Sequence, residues 1–345
     1  FDNLSGDPEQ EYFADGLSEE IITALSSVPE LLVIARNSSF IYKSKPINVK
    51  QISRELGVRY ILKGSVRKSG DRLRITAQLI DALKGNHLWA ESYDRKMDDL
   101  FALQDEITLK IITEIQVELS EGEKARSHVP CSSNLKAYLK YLKALEHYIR
   151  ANIPDNEIAQ RLAEEAIAID PGYACAYSLL GATHLQKMGL GSAKSPQQTM
   201  KTAYMAISKA IALNPSLAGP HAMLSNFYRH LGQLDKALEK AEKALSLNPN
   251  SLLGNLAMGD VLRWDGRAEE AISFLKHATR IDPFNSGCLG TLGITYFFVK
   301  RHDEGIEACQ KAAGLNRNSI YPQLCLAAIC GAIGRDEEAR VAASA

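Results

Sequence analysis

"LSLNPNS" (residues 245–251) and "TRIDPFNS" (residues 279–286) place a proline at the same point of the same local pattern. Their prolines, Pro249 and Pro283, lie about 34 residues apart, and Pro215 in "IALNPSL" stands the same distance upstream of Pro249. Pro171 in "IAIDPGY" precedes Pro215 by a longer interval, which indicates an insertion in that repeat. Each interval holds two helix-length apolar patterns, so the second half of the chain is predicted to be a series of helix hairpins.

A period of about 34 residues with two helices per repeat is typical of tetratricopeptide repeats. Small residues recur where paired helices cross closely: Gly181, Gly259, Gly293, Ala159, Ala203, Ala237, Ala271 and Ala339. The fifth repeat departs from the pattern, with Gly305 in place of the alanine and Arg317 in place of the proline. We predict about six repeats, the last one clipped: 138–173, 174–217, 218–251, 252–285, 286–319 and from 320 onward.

The opening stretch "SGDPEQEYFADGLSEE" (residues 5–20) is interpreted as the start of a helix and not as a catalytic loop. Asp7 is a suitable N-cap and Pro8 suits the first helical position. Apolar residues then recur every four positions from Phe13 to Leu25. Gly16, inside that face, indicates a close approach to the sheet or a break in the helix.

The rest of residues 1–120 alternates strand and helix patterns, which predicts a small α/β domain. "LLVIA" (residues 31–35) suits a buried strand, and Val49–Leu56 a helix ended by Gly57. A hairpin turning at residues 69–71, a strand after Gly85 and a helix over 99–119 follow. Residues 121–135 crowd charge, serine and proline together and are predicted to be a linker, so that the all-α repeat superhelix spans 136–345.

Composition excludes some classes of protein and leaves others open. A net charge of −1 over 345 residues argues against generic binding to polyanions. No run of 18 apolar residues occurs, so no membrane span is predicted within the sequence. The six cysteines form no CxxC pair and are interpreted as reduced thiols, which suits a reducing compartment.

A search for chemistry finds neither a catalytic constellation nor a cofactor or metal motif, so catalytic, cofactor-binding and metal residues are all predicted as none. One stretch suggests a ligand site in the α/β domain. Arg36, Asn37 and Ser38 leave the predicted strand at its carboxyl end, where open α/β sheets bind ligands. Capping of a turn is the alternative reading of the same three residues.

The repeats offer a second candidate site. Stacked repeats present an extended surface lined by their first helices, and this surface is predicted to bind a protein or peptide partner. Packing against neighbouring helices remains the alternative for the two phenylalanines. By repeat register, the predicted groove residues are Asn226, Arg229, His230, Asp260, Arg263, Trp264, Phe297 and Phe298.

Two stretches, "FDNLSGDPEQEYFADGLSEEIITALSSVPELLVIARNSSF" and "ISRELGVRYILKGSVRKSGDRLRITAQLIDALKGNHLWAESYDRKMDDLFALQDEI", resemble a bacterial family. It is the TolB amino-terminal-like domain that precedes tetratricopeptide repeats in signalling proteins. The resemblance covers most of residues 1–120. It implies a truncated first strand before Phe1. The sixth repeat stops at Ala345 with no polar capping helix after it, so the chain is interpreted as a fragment at both ends.

The resemblance also implies what accompanies these domains. In the family they commonly follow a class III adenylate/guanylate cyclase domain, whose catalytic residues have no counterpart in this sequence. The leading expectation is therefore a non-catalytic regulatory region of a cytoplasmic cyclase that makes cyclic AMP. Two alternatives remain open. One is the sensor region of a winged-helix transcription regulator, periplasmic if a membrane span precedes Phe1, and the other is a small-molecule sensor.

Overall fold

The computed structural model describes residues 1–43, 45, 48–115, 132, 134–316 and 320–344. The chain forms two compact units. The first unit comprises Phe1–Leu31 and Tyr42–Pro220, and the second comprises Leu32–Ile41 and His221–Ala345. The predicted fold class is confirmed, because a small sheet domain is followed by paired helices. The predicted linker lies almost wholly outside the described residues, so the domain boundaries at 120 and 136 stay predictions.

The first unit contains a four-stranded sheet. Its strands are β1 (Asp2–Asn3), β2 (Tyr60–Ser69), β3 (Arg72–Asp81) and β4 (Asn86–Lys96), in that spatial order. β1 pairs parallel to β2, whereas β2, β3 and β4 pair antiparallel. The predicted hairpin is confirmed, with Gly70 in the left-handed conformation at its turn. Along β3, the side chains from Leu73 to Leu79 alternate between buried and more exposed positions, as expected for a sheet with one dry face.

Helices cover the dry face of this sheet. They are α1 (Glu11–Ser26), α3 (Val49–Leu56) and α4 (Leu100–Ile115), while α2 (Arg36–Ser39) belongs to the second unit. The predicted helix start is confirmed: the carboxylate of Asp7 accepts from the Glu9 backbone N–H, and Pro8 opens a short 3-10 turn before α1. The apolar face of α1 from Phe13 to Leu25 is buried. Gly57 ends α3 with a φ of 66°.

The prediction of a strand at residues 31–35 is wrong. These residues form no strand, and their backbone groups make other hydrogen bonds. The Leu31 N–H bonds the Val28 carbonyl in a turn, and the Ala35 N–H donates to the Ile281 carbonyl at 2.8 Å. A short apolar run carries no information about which backbone will pair with it, so a strand and an extended docked segment give the same pattern.

Six helix pairs follow within the residues that the structure describes. They are α5 (Leu135–Ile149) with α6 (Ile153–Ile169), α7 (Ala174–Gly189) with α8 (Pro196–Leu213), α9 (Ala218–His230) with α10 (Leu234–Leu247), α11 (Leu252–Trp264) with α12 (Ala268–Ile281), α13 (Ser286–Phe298) with α14 (His302–Leu315), and α15 (Ile320–Ala332) with α16 (Asp336–Ser344). The insertion lengthens α7 and α8 to 16 and 18 residues, against 13 and 14 in α11 and α12.

Small residues let the helices of each pair approach closely. A Cβ added to Gly259 would lie 2.6 Å from side-chain atoms of Leu275, which is too close for van der Waals contact. The alanines predicted at crossing positions in the second helices of the first four repeats are fully buried. Gly305 replaces alanine in the fifth repeat because a Cβ there would lie 2.9 Å from the carbonyl oxygen of Gly293. Arg317, the other departure in that repeat, lies outside the described residues.

The first repeat packs directly on the sheet domain within the first unit. A Cβ at Gly16 of α1 would meet Leu142 of α5 at 2.5 Å, so the close approach predicted at this glycine is to a repeat helix and not to the sheet. The Gln104 amide of α4 donates to the Tyr138 hydroxyl of α5 at 2.8 Å. The α/β elements and the first repeat therefore share one packed interface.

The cysteines only partly follow the expectation of reduced thiols. Cys288, Cys309, Cys325 and Cys330 are free and buried. Cys175 is disulfide-bonded, which corrects the prediction for that position. Within the described ranges, no helix is both long enough and apolar enough to cross a bilayer.

Candidate functional site

Six of the eight predicted groove residues lie on α9 and α11, and all of them except Asn226 contact one another. We name this group the Trp264 cluster, and its members are Arg229, His230, Asp260, Arg263 and Trp264. α9 and α11 are the first helices of consecutive repeats. Arg229 and Arg263 stand one repeat apart in sequence, and so do His230 and Trp264. The repeat register therefore brings these side chains to equivalent positions on neighbouring helices.

Trp264 is the centre of the cluster. Its side chain is 60% exposed, an unusual state for so large an apolar group. The guanidinium carbons of Arg229 and Arg263 lie 5.7 Å and 5.9 Å from the centroid of its ring. Both distances are within the range of cation–π attraction, so the two arginines hold the indole in place while it remains accessible.

The charges of the cluster do not cancel. Arg263 donates from Nη2 to Oδ1 of Asp260 at 2.7 Å, which neutralises one guanidinium. Arg229 Nη2 lies 3.1 Å from Nε2 of His230. Burial, and then the positive charge of Arg229, lower the pKa of His230, so the imidazole is neutral at pH 7 and accepts this hydrogen bond. Two guanidiniums against one carboxylate leave the cluster with a net positive charge.

Three polar atoms on α9 and α11 are buried without a hydrogen-bond partner among the described residues. They are Oδ1 of Asn226 and the Nε atoms of Arg229 and Arg263. Buried donors and acceptors are normally paired, because leaving one unpaired costs about 1–3 kcal/mol. These atoms are one acceptor and two donors whose hydrogen-bonding capacity the described residues leave unused.

The two phenylalanines have different environments. Phe297 packs against the core cluster that contains Ile306 and Cys309, with its ring centroid 5.7 Å from that of His302. Phe298 is 57% exposed, and its ring meets Phe297 edge to face. Consecutive residues on a helix point about 100° apart, and here Phe297 points toward the core while Phe298 points toward solvent. Phe298 is the one available to a partner.

Sequence reasoning missed two exposed side chains on α15. Tyr321 is 41% and Leu324 60% exposed. The charge of Arg263 acts on Tyr321, which places the tyrosine near the Trp264 cluster, although burial and Cys325 raise the pKa of its hydroxyl to about 12. Repeat register could have found both, because Leu253 and Leu256 occupy the same positions two repeats earlier.

The three residues predicted to form a ligand site do not lie in the structural setting expected from the sequence. Arg36, Asn37 and Ser38 begin the short helix α2 and do not follow a strand. Ser38 is fully buried, and its hydroxyl donates to Oδ1 of Asp282 at 2.5 Å. The guanidinium of Arg36 stacks over the ring of Phe40 at 4.3 Å. Whether this segment binds a ligand stays a prediction.

Metal ligands were sought across the described part of the chain. No group of three or more histidine, cysteine, aspartate or glutamate side chains there could hold a metal ion.

Comparison with known proteins finds a match to a repeat family and a similar bacterial protein. Residues 218–251 match the tetratricopeptide repeat family. Over 180 residues, or 52% of this chain, the sequence is 48% identical to a Rhizobium meliloti (strain 1021) protein named "Putative adenylate cyclase 3". The match spans 31% of that relative, so the chain corresponds to less than a third of its length.

Solved structures are also similar to part of this chain. The type IV pilus biogenesis factor PilW is 19% identical with a TM-score of 0.48, and the match covers 61% of this chain and 91% of PilW. A thermophilic TPR protein from Thermus thermophilus is 22% identical with a TM-score of 0.45, covering 56% of this chain and 98% of its own. With the helix pairs and the family match, the chain is shown to carry tetratricopeptide repeats.

Proposed function

We propose that this chain is the non-catalytic, protein-interaction and regulatory region of a bacterial adenylate or guanylate cyclase, and that the Trp264 cluster binds its partner. The observation that carries the proposal is an exposed tryptophan held between two arginines, beside polar atoms that are buried without partners among the described residues. Tryptophan and arginine are the residue types that dominate binding energy at protein interfaces.

The chemistry of the cluster defines the peptide it would take. An apolar or aromatic side chain would cover the exposed Trp264 ring. A carboxylate would meet the uncompensated charge of Arg229. The proposed partner is therefore an extended peptide with an acidic residue beside an apolar one.

The cyclase assignment rests on the relative. Its name describes an adenylate cyclase, and the 48% identity extends over half of this chain. The resemblance of residues 1–120 to the TolB amino-terminal-like domain supports the same parent architecture. In the proposed arrangement the catalytic domain belongs to the same polypeptide, and the cytoplasm supplies its nucleotide substrate.

A binding experiment tests the groove. The full chain is applied to an array of short synthetic peptides that vary independently in acidic and apolar content. We expect binding to acidic–apolar peptides, and loss of that binding in the double variant Arg263→Ala with Trp264→Ala. Arg280→Ala on α12 is the matched control, because Arg280 is exposed on a second helix away from the cluster. A double variant that melts like the wild type and still binds would refute the groove assignment.

A second candidate function has one observation in its favour. The disulfide at Cys175 is typical of oxidising compartments, where the sensor region of a membrane-anchored transcription regulator would lie. Product analysis of the intact polypeptide separates the two functions. Formation of cyclic AMP from ATP, or cyclic GMP from GTP, supports the cyclase. Promoter binding without either product supports the regulator.

A further inference from the structure

Three of the four free cysteines that the structure describes lie together in the last two helix pairs. Cys309 of α14 packs with Cys325 and Cys330 of α15 in one buried core cluster. Cys309 is held on its other side by α13, because Gly293 leaves no room for a Cβ between its backbone and the Cys309 sulfur. The Cys309 thiol therefore lies between α13 and α15.

Cys325 is the sulfur on which the polar contacts of this region converge. The Cys309 thiol donates a hydrogen bond to it, and so does the hydroxyl of Tyr321, one helical turn earlier on α15. The Tyr321 hydroxyl in turn accepts a hydrogen bond from Thr291 of α13. Arg263 of α11 adds a positive charge near the same sulfur. Two donors and a guanidinium beside one sulfur stabilise its thiolate form.

The acidities of the four free thiols differ accordingly. The hydrogen bond from Cys309 is the main cause that lowers the pKa of Cys325, although burial opposes it. The same hydrogen bond, and then burial, raise the pKa of Cys309. Burial also raises the pKa of Cys330, and it raises the pKa of Cys288 to about 12. Among the free cysteines of the described residues, Cys325 is therefore the most acidic.

Cys325 is also the member of the pair that lies nearer to solvent. It is 4% exposed, whereas Cys309 is 0% exposed. Tyr321 and Leu324, which flank Cys325 on α15, are both exposed, so Cys325 lies directly beneath the surface of this helix. A small oxidant that enters here meets Cys325 first, with Cys309 behind it.

We propose that Cys325 and Cys309 are a redox-active thiol pair, in which Cys325 is oxidised by hydrogen peroxide and Cys309 converts the product into a disulfide. The Cys325 thiolate attacks one peroxide oxygen, the O–O bond breaks, hydroxide leaves and a sulfenic acid remains on Cys325. The Cys309 sulfur then attacks the Cys325 sulfur. The S–S bond forms as the S–O bond breaks, and the hydroxyl leaves as water with the proton of the Cys309 thiol.

This inference goes beyond the proposed function and does not depend on it. Neither cysteine belongs to the Trp264 cluster, and the reaction needs no bound peptide. Failure of the peptide array would therefore leave the thiol pair untouched, and failure of the oxidation experiment would leave the groove untouched.

Peptide mapping of the oxidised full chain tests the proposal. The folded wild-type protein is treated with hydrogen peroxide, its remaining thiols are blocked with iodoacetamide, and the digest is analysed by mass spectrometry. We expect a peptide pair joined through Cys309 and Cys325. In Cys309→Ser, the same treatment should stop at a sulfenic acid on Cys325, which dimedone traps.

The variant Tyr321→Phe tests the role of the hydroxyl donor. Loss of one hydrogen bond to a thiolate raises the thiol pKa by about one unit, which lowers the thiolate fraction about tenfold at neutral pH. A more basic thiolate is the better nucleophile, and this recovers about half of the loss on a logarithmic scale. We therefore expect disulfide formation to slow about threefold in Tyr321→Phe.

Cys288→Ser is the matched control, because Cys288 is a buried thiol of α13 outside this core cluster. It should leave the rate of disulfide formation unchanged. If Cys309→Ser does not fold, the linked peptides of the wild-type chain still decide the question. Absence of the link in folded wild-type protein, a link from Cys309 to Cys330 in its place, or equal peroxide reactivity of Cys288 and Cys325 would overturn the proposal.

Discussion

Gly259 of α11 offers a sharp test of how the repeat helices pack, through the substitution Gly259→Ala. The new Cβ would lie 2.6 Å from Cγ and Cδ2 of Leu275, where carbon atoms normally keep about 3.5–4.0 Å. The backbones would therefore have to separate by about 1 Å, or Leu275 would have to change rotamer. Leu275 is fully buried in the core cluster of the second unit, so neither adjustment has free space.

The magnitude follows from two opposing effects. Overpacking a core by one methyl group typically costs about 1–3 kcal/mol. Alanine gains up to about 1 kcal/mol over glycine in a helix interior. We therefore expect Gly259→Ala to lower the free energy of unfolding by roughly 1–2 kcal/mol, measured by urea denaturation.

The same substitution elsewhere should have the opposite sign. Gly314 lies near the end of α14, and a Cβ there would meet no atom within 4 Å. Gly314→Ala should leave stability unchanged or raise it by about 0.5 kcal/mol, because only the backbone entropy of glycine is lost. If Gly259→Ala is as stable as Gly314→Ala, the close crossing of α11 and α12 is refuted.

Three further predictions concern charge, redox state and exposure. Burial, and then the neighbouring Glu19, raise the pKa of Glu20 from 4.5 to about 7. The folded state thus holds a proton that the unfolded state releases between those values, so stability should fall by roughly 2–3 kcal/mol as pH rises from about 4.5 to about 7. The substitution Glu20→Gln should remove this loss of stability, as measured by urea denaturation across that pH range. An unchanged pH dependence in the variant would contradict the raised pKa of Glu20. Thiol titration of the unreduced, denatured chain should give four reactive thiols out of six, because the Cys175 disulfide is retained, and a count of six would contradict that disulfide. Iodide should quench the fluorescence of Trp264 far more than that of the buried Trp89, because Trp264 is exposed between two guanidiniums. The substitution Trp264→Phe should abolish most of the quenching. Quenching that persists in this variant would show that Trp264 lies inside the protein.

The repeat architecture could be predicted from sequence because its signals are local and recur. A proline at the same point of each repeat marks the turns, and the glycines and alanines mark positions where only small side chains fit. The hairpin of the sheet was equally predictable, since Gly70 and the alternation along β3 fix its turn and its faces. These features depend on neighbours within a few residues or one repeat.

The docking of residues 32–41 on the repeats could not be predicted, for a physical reason. The partner of Ser38, Asp282, lies 244 residues away, and nothing in "LLVIARNSSF" states which acceptor the hydroxyl will meet. The candidate site was predicted in part. Repeat register predicted the residues of the Trp264 cluster. It could not decide which of Phe297 and Phe298 faces solvent, because adjacent residues differ by only one helical step. Tyr321 was missed because the groove was traced only through the preceding repeats.

The central claim is that this chain is the interaction region of a cyclase, and peptide mapping of the intact native polypeptide tests it most directly. Mass spectrometry of that polypeptide identifies the sequence on the amino-terminal side of Phe1. We predict a class III cyclase domain there, with the aspartates that bind its catalytic metal ions. A winged-helix DNA-binding domain followed by a membrane span would contradict it and assign the repeats to a transcriptional sensor.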